Sequence, residues 1–215
     1  MKLESPKPEI KASNTVDQLK NMADRLIGYE SKERKPEPSE TQNTAPINPD
    51  KLIEPANKEY RDDNGEVYRI GNELLPNNVY VENGYTYLTD SEGRVKSAEG
   101  QLQLSEEPRK QISDSMETIG KGDQKEGDQK GHLIGDRFGG GNGLENIVAM
   151  DGRVNQSDYK RIENTCARAL ESGHGVYLKV VPKYDKSSNR PTSFRIIYTI
   201  DGEKTVTTVK NGASK

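Results

Sequence analysis

The chain has 215 residues, 30% hydrophobic and 31% charged, with a formal net charge of −3 and one cysteine, Cys166. So little apolar material cannot fill a core along the whole length, and part of the chain is expected to stay outside the fold. A single cysteine excludes an intramolecular disulfide framework and a cysteine-rich zinc site, and no apolar run approaches the ~20 residues that span a membrane.

Residues 1–58 read as a disordered tail or linker. They hold seven prolines, Pro6 to Pro55, among Ser, Thr, Asn, Lys and Glu, a composition that buries too little to offset backbone ordering. Val16, Leu19, Met22, Leu26 and Ile27 recur at helical spacing and mark one short helix inside it. The start, Met1-Lys2-Leu3-Glu4-Ser5-Pro6, lacks the apolar stretch of a secretory signal. The protein is therefore expected to be cytoplasmic, or to be secreted by a route that needs no such signal.

Residues 59–215 read as one domain. Strands are predicted near 66–70, 78–82, 84–89 and 94–98, with turns at Glu82-Asn83-Gly84 and Asp90-Ser91-Glu92-Gly93. A helix is expected over 105–118. The quartet Gly122-Asp123-Gln124-Lys125 repeats at once as Gly127-Asp128-Gln129-Lys130, too short for a structural repeat and read as a loop duplication. Residues 155–171 give the best helix, with Tyr159, Ile162, Cys166, Ala169 and Leu170 on one face and a stop at Ser172-Gly173-His174-Gly175. Strands follow at Val176–Val181, Phe194–Ile200 and Thr205–Val209, the last two joined by an Asp201-Gly202 turn. The class is α+β with antiparallel strands.

Charge is uneven along the chain: 14 Lys+Arg against 19 Asp+Glu in residues 1–104, and 18 against 16 in residues 105–215. A near-neutral domain still binds phosphate through a local patch and a metal ion. The chemistry concentrates in Gln129-Lys130-Gly131-His132-Leu133-Ile134-Gly135-Asp136-Arg137-Phe138-Gly139-Gly140, with Asn146 14 residues after His132, Asn155 9 further on and Glu163 8 beyond that. This series, with Glu145-Asn146-Ile147-Val148-Ala149-Met150-Asp151, resembles the sugar-nonspecific DNA/RNA endonucleases with a ββα-metal (His-Me finger) site. It is most similar to the branch found as C-terminal domains of bacterial polymorphic toxins. Asn83 to Tyr87 and Gly93 to Gly100 resemble that branch too, so the likeness runs over roughly residues 64–211.

The resemblance implies a metal-dependent phosphodiester hydrolase acting on DNA, RNA or both. In it His132 is the general base, a neutral imidazole poised near working pH, and Asn155 is the direct ligand to Mg²⁺, with Mn²⁺ as the alternative ion. Glu163 holds a metal-bound water, and Asn146 fixes the loop around His132. Lys130, Arg137 and Arg94 are the candidate substrate contacts. A bacterial effector role and a cognate immunity protein follow from the same likeness. This chain departs from the family pattern at Gln129, where an Asp is usual, and at Lys130, where an Arg is usual. Asp128 is displaced by one position, and Ala167 stands where related enzymes often carry Arg. Two alternatives stand beside this reading: a nucleic-acid-binding relative with a weakened site, and an adaptor module that binds a partner through the Pro-rich tail.

Other features have plainer readings. The run Gly139-Gly140-Gly141-Asn142-Gly143 lacks the Gly-Lys-Ser/Thr ending of a phosphate loop and reads as a flexible lid or a loop through which substrate enters. His174 reads as a helix-capping residue, and Cys166 as a small buried hydrophobe.

Overall fold

The computed structural model describes residues 57–108 and 111–212. The predicted tail, up to residue 56, and its short helix lie outside the described residues. Strands β1 (Glu59–Arg61), β2 (Val67–Ile70) and β3 (Glu73–Leu74) form a small antiparallel sheet. Next come β4 (Val79–Glu82), β5 (Tyr85–Thr89) and β6 (Val95–Gln101). The tight turns between them use Asn83 and the glycines Gly84 and Gly93, all at positive φ, a conformation open to Asn and Gly at little cost.

The C-terminal strands β9 (Val176–Tyr184), β10 (Pro191–Ile200) and β11 (Glu203–Lys210) complete a six-stranded antiparallel sheet in the order β11-β10-β9-β6-β5-β4. Alternation along the strands sends Tyr85, Tyr87, Val176, Leu178, Val180, Phe194 and Ile196 into one buried face, as a sheet wetted on its other side requires. Tyr68, Tyr80 and Tyr87 stack in series at centroid distances of 4.7 and 5.6 Å.

A second hairpin lies against this core. Strand β7 (Asp128–His132) pairs with β8 (Ile147–Asp151), so that Gln129 faces Met150 and His132 faces Ile147. A helical segment follows β8 without a break: α2 (Gly152–Val154), a π-helical turn (Asn155–Tyr159) and α3 (Lys160–Glu171). Cys166 and Ala167 are buried on it, Tyr159 meets Phe194 edge to face at 5.7 Å, and the Tyr159 hydroxyl donates to the Leu133 carbonyl at 2.7 Å. The class is α+β with antiparallel sheets, and strand, strand and helix in succession make the ββα unit.

The structure corrects two expectations. The helix over 105–118 shrinks to α1 (Met116–Gly120), capped by the Ser115 hydroxyl, which accepts from the Thr118 N–H. The preceding residues from 111 are not helical. Asp114 is taken instead by Arg69 of β2 in a buried bidentate pair at 2.7 and 2.8 Å, a tertiary contact that outweighs helix propensity. The long helix also begins earlier than 155. The Asp151 carboxylate accepts from the Arg153 and Val154 N–H groups, so the helix N-terminus is already satisfied before Asn155.

Candidate active site

His132 closes strand β7 and is 8% exposed. Residues from three neighbouring elements meet the chain between Gln129 and Gly135. From the helical segment, Asn155 Nδ2 donates to Gln129 Oε1 at 3.0 Å. This contact turns the amide so that Oδ1 is left as its oxygen donor. Two turns on, the Glu163 carboxylate lies so close to Gly135 that a Cβ there would overlap it. From the start of β8, the buried Asn146 accepts the Ile134 N–H and donates to the Ile134 carbonyl, both at 2.8 Å. From the glycine run, Asn142 Oδ1 comes within 2.7 Å of His132 Nε2.

The π-helical turn affects how Asn155 and Glu163 align. Eight residues of regular α-helix rotate about 80°. A π turn accommodates one extra residue, so the pair spans the rotation of about seven and falls within about 20° of alignment. Both side chains therefore project from nearly the same side of the helix. With its N-terminus capped by Asp151, the helix dipole is a weaker source of phosphate attraction at Asn155 than an uncapped start would be.

The two departures from the family pattern take different partners. Adjacent strand residues point to opposite faces, so Asp128 cannot stand in for the Asp that Gln129 replaces. Asp128 instead forms a bidentate pair with Arg190, 2.7 Å at both contacts, with side chains 1% and 7% exposed. Burial alone would raise the Asp128 carboxyl, but the Arg190 guanidinium and the Lys125 N–H overcome that and hold it below its ordinary range. Lys130 donates to the Ile112 carbonyl at 3.2 Å, which uses one of the three donors of its ammonium.

The remaining candidates are not gathered here. Arg94 braces its own turn: it bonds Asp90 at 2.8 Å, donates to the Lys186 and Ser188 carbonyls, and lies over the Tyr184 ring. The plain reading, a charge following a turn, describes it. Arg137 is exposed on the outside of α3, donating to Asn164 Oδ1 at 2.8 Å with Glu171 at 3.7 Å. His174 caps the helix through its backbone, the N–H donating to the Ala169 carbonyl at 3.0 Å, while its ring Nδ1 contacts Asp201 at 2.6 Å and ties two turns together.

The glycine run is not a loose lid. Gly140 and Gly141 are buried, the Gly141 carbonyl accepts from Asn146 Nδ2 at 2.8 Å, and the Gly143 N–H donates to Glu145 at 2.9 Å. Side chains at 141 or 143 would collide with the Glu145 carboxylate, and one at 140 with the Ile134 carbonyl. Close approach, not motion, demands these glycines. Burial pushes the Glu145 carboxyl above its ordinary range, while the N–H groups of Gly143 and Glu145 itself oppose the shift. Burial, with Glu145 and then Asp63 and Asp62 adding to it, lifts Glu82 to about 7.

The family model for DNA/RNA non-specific endonucleases matches residues 76–202. The chain belongs to this family. The match takes in β7, β8 and the helical segment, and so all of the residues that meet around His132. The type VII secretion system protein EssD of Staphylococcus aureus strain USA300 is 33% identical over 135 residues, which is 60% of this chain and 22% of that protein. The same protein in strain NCTC 8325 / PS 47 gives the same figures. The chain thus spans about a fifth of the length of the curated relatives it matches. Among solved structures, NucA from Streptococcus agalactiae with no metal bound has a TM-score of 0.48 and 14% identity, covering 63% of this chain and 72% of that one. NucA with magnesium ion bound has a TM-score of 0.47 and 15% identity, covering 63% and 74%. At those scores the likeness bears on neither the activity nor the metal of this chain.

Asn142, which meets His132, and Glu145, which packs against the glycine run, carry no motif of their own in the sequence. The available signal was four glycines within five residues around a single Asn, a density that close approach explains as well as flexibility does.

Proposed function

We propose that this endonuclease domain hydrolyses phosphodiester bonds of DNA or RNA by a divalent-metal mechanism, with His132 as the general base. The supporting observation is that Asn155 and Glu163 meet the two ends of the segment from Gln129 to Gly135, which carries His132. His132 takes the proton of the attacking water as the water oxygen bonds to phosphorus, the bond from phosphorus to the 3′ oxygen breaks, and the 3′ oxygen leaves and takes a proton from solvent. Asn146 holds Ile134 and thereby keeps the chain beyond His132 in place. Lys130 offers a point charge to a substrate phosphate, without the bidentate fork of an arginine.

The donor set fits a hard cation. Asn155 contributes an amide oxygen and Glu163 a carboxylate, which suit Mg²⁺ or Mn²⁺ and not a thiophilic ion. Asn155 Oδ1 would hold the ion directly, with Glu163 behind it. When bound, it neutralises charge that builds on the phosphate in the transition state.

The test is to incubate the protein and His132→Ala with supercoiled plasmid and with total RNA, each with Mg²⁺ and with EDTA. Metal-dependent cleavage that drops about 10²–10⁴-fold in the variant is expected. Full activity in His132→Ala would remove it as the base. A gel shift without cutting would favour the weakened, nucleic-acid-binding relative, a reading motivated by Gln129 and Lys130. A secreted role is supported by the 33% identity to a protein named for type VII secretion, while a protein partner that neutralises it follows from the family resemblance alone. Growth arrest on cytoplasmic expression, absent with His132→Ala, is its expected mark.

A further inference from the structure

Asn211 follows β11 and lies beyond residue 202, where the family match ends. It is only 6% exposed, and all of its polar atoms are engaged. Its carboxamide Oδ1 accepts the Asp151 N–H at 2.8 Å, and Nδ2 donates to the Ala149 carbonyl at 2.9 Å and the Pro191 carbonyl at 2.8 Å. Its own N–H donates to the Thr192 carbonyl at 2.8 Å, and its carbonyl accepts from Arg190 Nη1 at 3.0 Å. Among the described residues, β8 is paired on one edge only, by β7. In an extended strand the carbonyl of one residue and the N–H two residues on point to the same edge. The Asn211 carboxamide, with an acceptor and two donors on one carbon, meets both on β8 as a residue of a neighbouring strand would.

The contact falls where β8 turns into helix. Asp151, held at its N–H by Asn211, caps the helical segment with its carboxylate on the Arg153 and Val154 N–H groups, and Asn155 comes one turn later. The other strand of the hairpin is held from the same place. Arg190, which grips the Asn211 carbonyl, pairs with Asp128, and Asp128 is the register partner of Asp151 and the neighbour of Gln129. We propose that Asn211 is a positioning residue for metal binding: its carboxamide takes the place of a third strand beside β8, fixes Asp151, and through the Asp151 cap sets the start of the helix that carries Asn155 and Glu163. The inference rests on the reading of Asn155 and Glu163 as the groups that hold the ion. Because the contact is buried, a lost partner leaves the Asp151 N–H and the Ala149 carbonyl without water to replace it, so the junction must shift to satisfy them.

The test compares the full chain with Asn211→Ala, with the milder Asn211→Ser, and with Val180→Ala. Val180 is buried in β9, and its truncation removes packing alone, which controls for lost stability. Mn²⁺ binding is read by calorimetry, and hydrogen exchange by NMR at the Arg153 and Val154 amides. Asn211→Ala is expected to weaken Mn²⁺ binding about 10-fold and to speed exchange at both amides beyond any change in Val180→Ala. If Asn211→Ala does not fold, Asn211→Ser carries the same two readouts in the same directions. Mn²⁺ affinity in the Asn211 variants equal to that of Val180→Ala would overturn the inference and leave Asn211 as an anchor for the end of β11. Unchanged Mn²⁺ affinity in Asn155→Ala would instead remove the metal reading on which it rests. Exchange at Arg153 and Val154 needs no metal, so it still decides whether Asn211 holds the start of the helix.

Discussion

Gly122-Asp123-Gln124-Lys125 and Gly127-Asp128-Gln129-Lys130 are the same four residues in two structural settings. The first copy forms a turn after α1, where Lys121 and Gly122 have positive φ. Its Gln124 folds back to accept from the Gly122 N–H and to donate to Glu117, its Asp123 accepts from the Asn189 N–H at 2.7 Å, and its Lys125 is exposed. The second copy is drawn into β7 by its partner β8. There Asp128 is buried against Arg190, Gln129 orients Asn155, and Lys130 reaches the Ile112 carbonyl. Identical side chains acquire solvent-facing roles in one place and structural and site-building roles in the other. The deciding factor is the tertiary partner that the second copy, five residues further along the chain, meets.

Breaking the aspartate half of the comparison should have the largest effect. Asp128→Ala leaves the Arg190 guanidinium buried without its carboxylate and is expected to cost about 3–5 kcal/mol in denaturant unfolding, whereas Asp123→Ala stays within about 1 kcal/mol. The gap should narrow in acid. The folded-state Asp128 carboxyl sits below its ordinary value of 3.8, so its stabilisation is complete above that pH and disappears as the pH falls through the folded value. Equal losses in the two variants at neutral pH would refute the contrast.

The glutamine pair comes next. Gln129→Ala should weaken Mn²⁺ binding, measured by calorimetry, and cleavage by about 10–100-fold, while Gln124→Ala leaves both unchanged. Unaltered Mn²⁺ affinity in Gln129→Ala would mean that Asn155 keeps its orientation without help. The smallest effect belongs to the lysines. Lys130→Ala should lower the salt dependence of KM by about one unit of log–log slope, the signature of one lost phosphate contact. A matching fall in Lys125→Ala would show that both copies meet the substrate.

Much of the proposed site is a matter of residue type at fixed spacing. His132, Asn146, Asn155 and Glu163 stand in one ordered series, and the last three contact Ile134, Gln129 and Gly135 on the segment that carries His132. Arg94 was not legible: a cation after a turn looks the same whether it faces substrate or, as here, Asp90 and Tyr184. Asn142 and Glu145 were hidden for the opposite reason, since a glycine-dense stretch suggests mobility unless the close contacts of its backbone are known.

Local pattern sufficed for the antiparallel strands, the turns between them, the amphipathic face through Tyr159, Ile162 and Cys166, and the order of the candidate site residues. These are period-and-turn signals, local by nature. Tertiary structure alone decided that Asp114 leaves the expected helix for Arg69, that a π turn aligns Asn155 with Glu163, that Asp128 belongs to Arg190, and that the glycine run is pinned against Glu145 and Asn146. Each of these outcomes depends on a partner brought close by folding, and burial makes such polar contacts too costly to leave unmade.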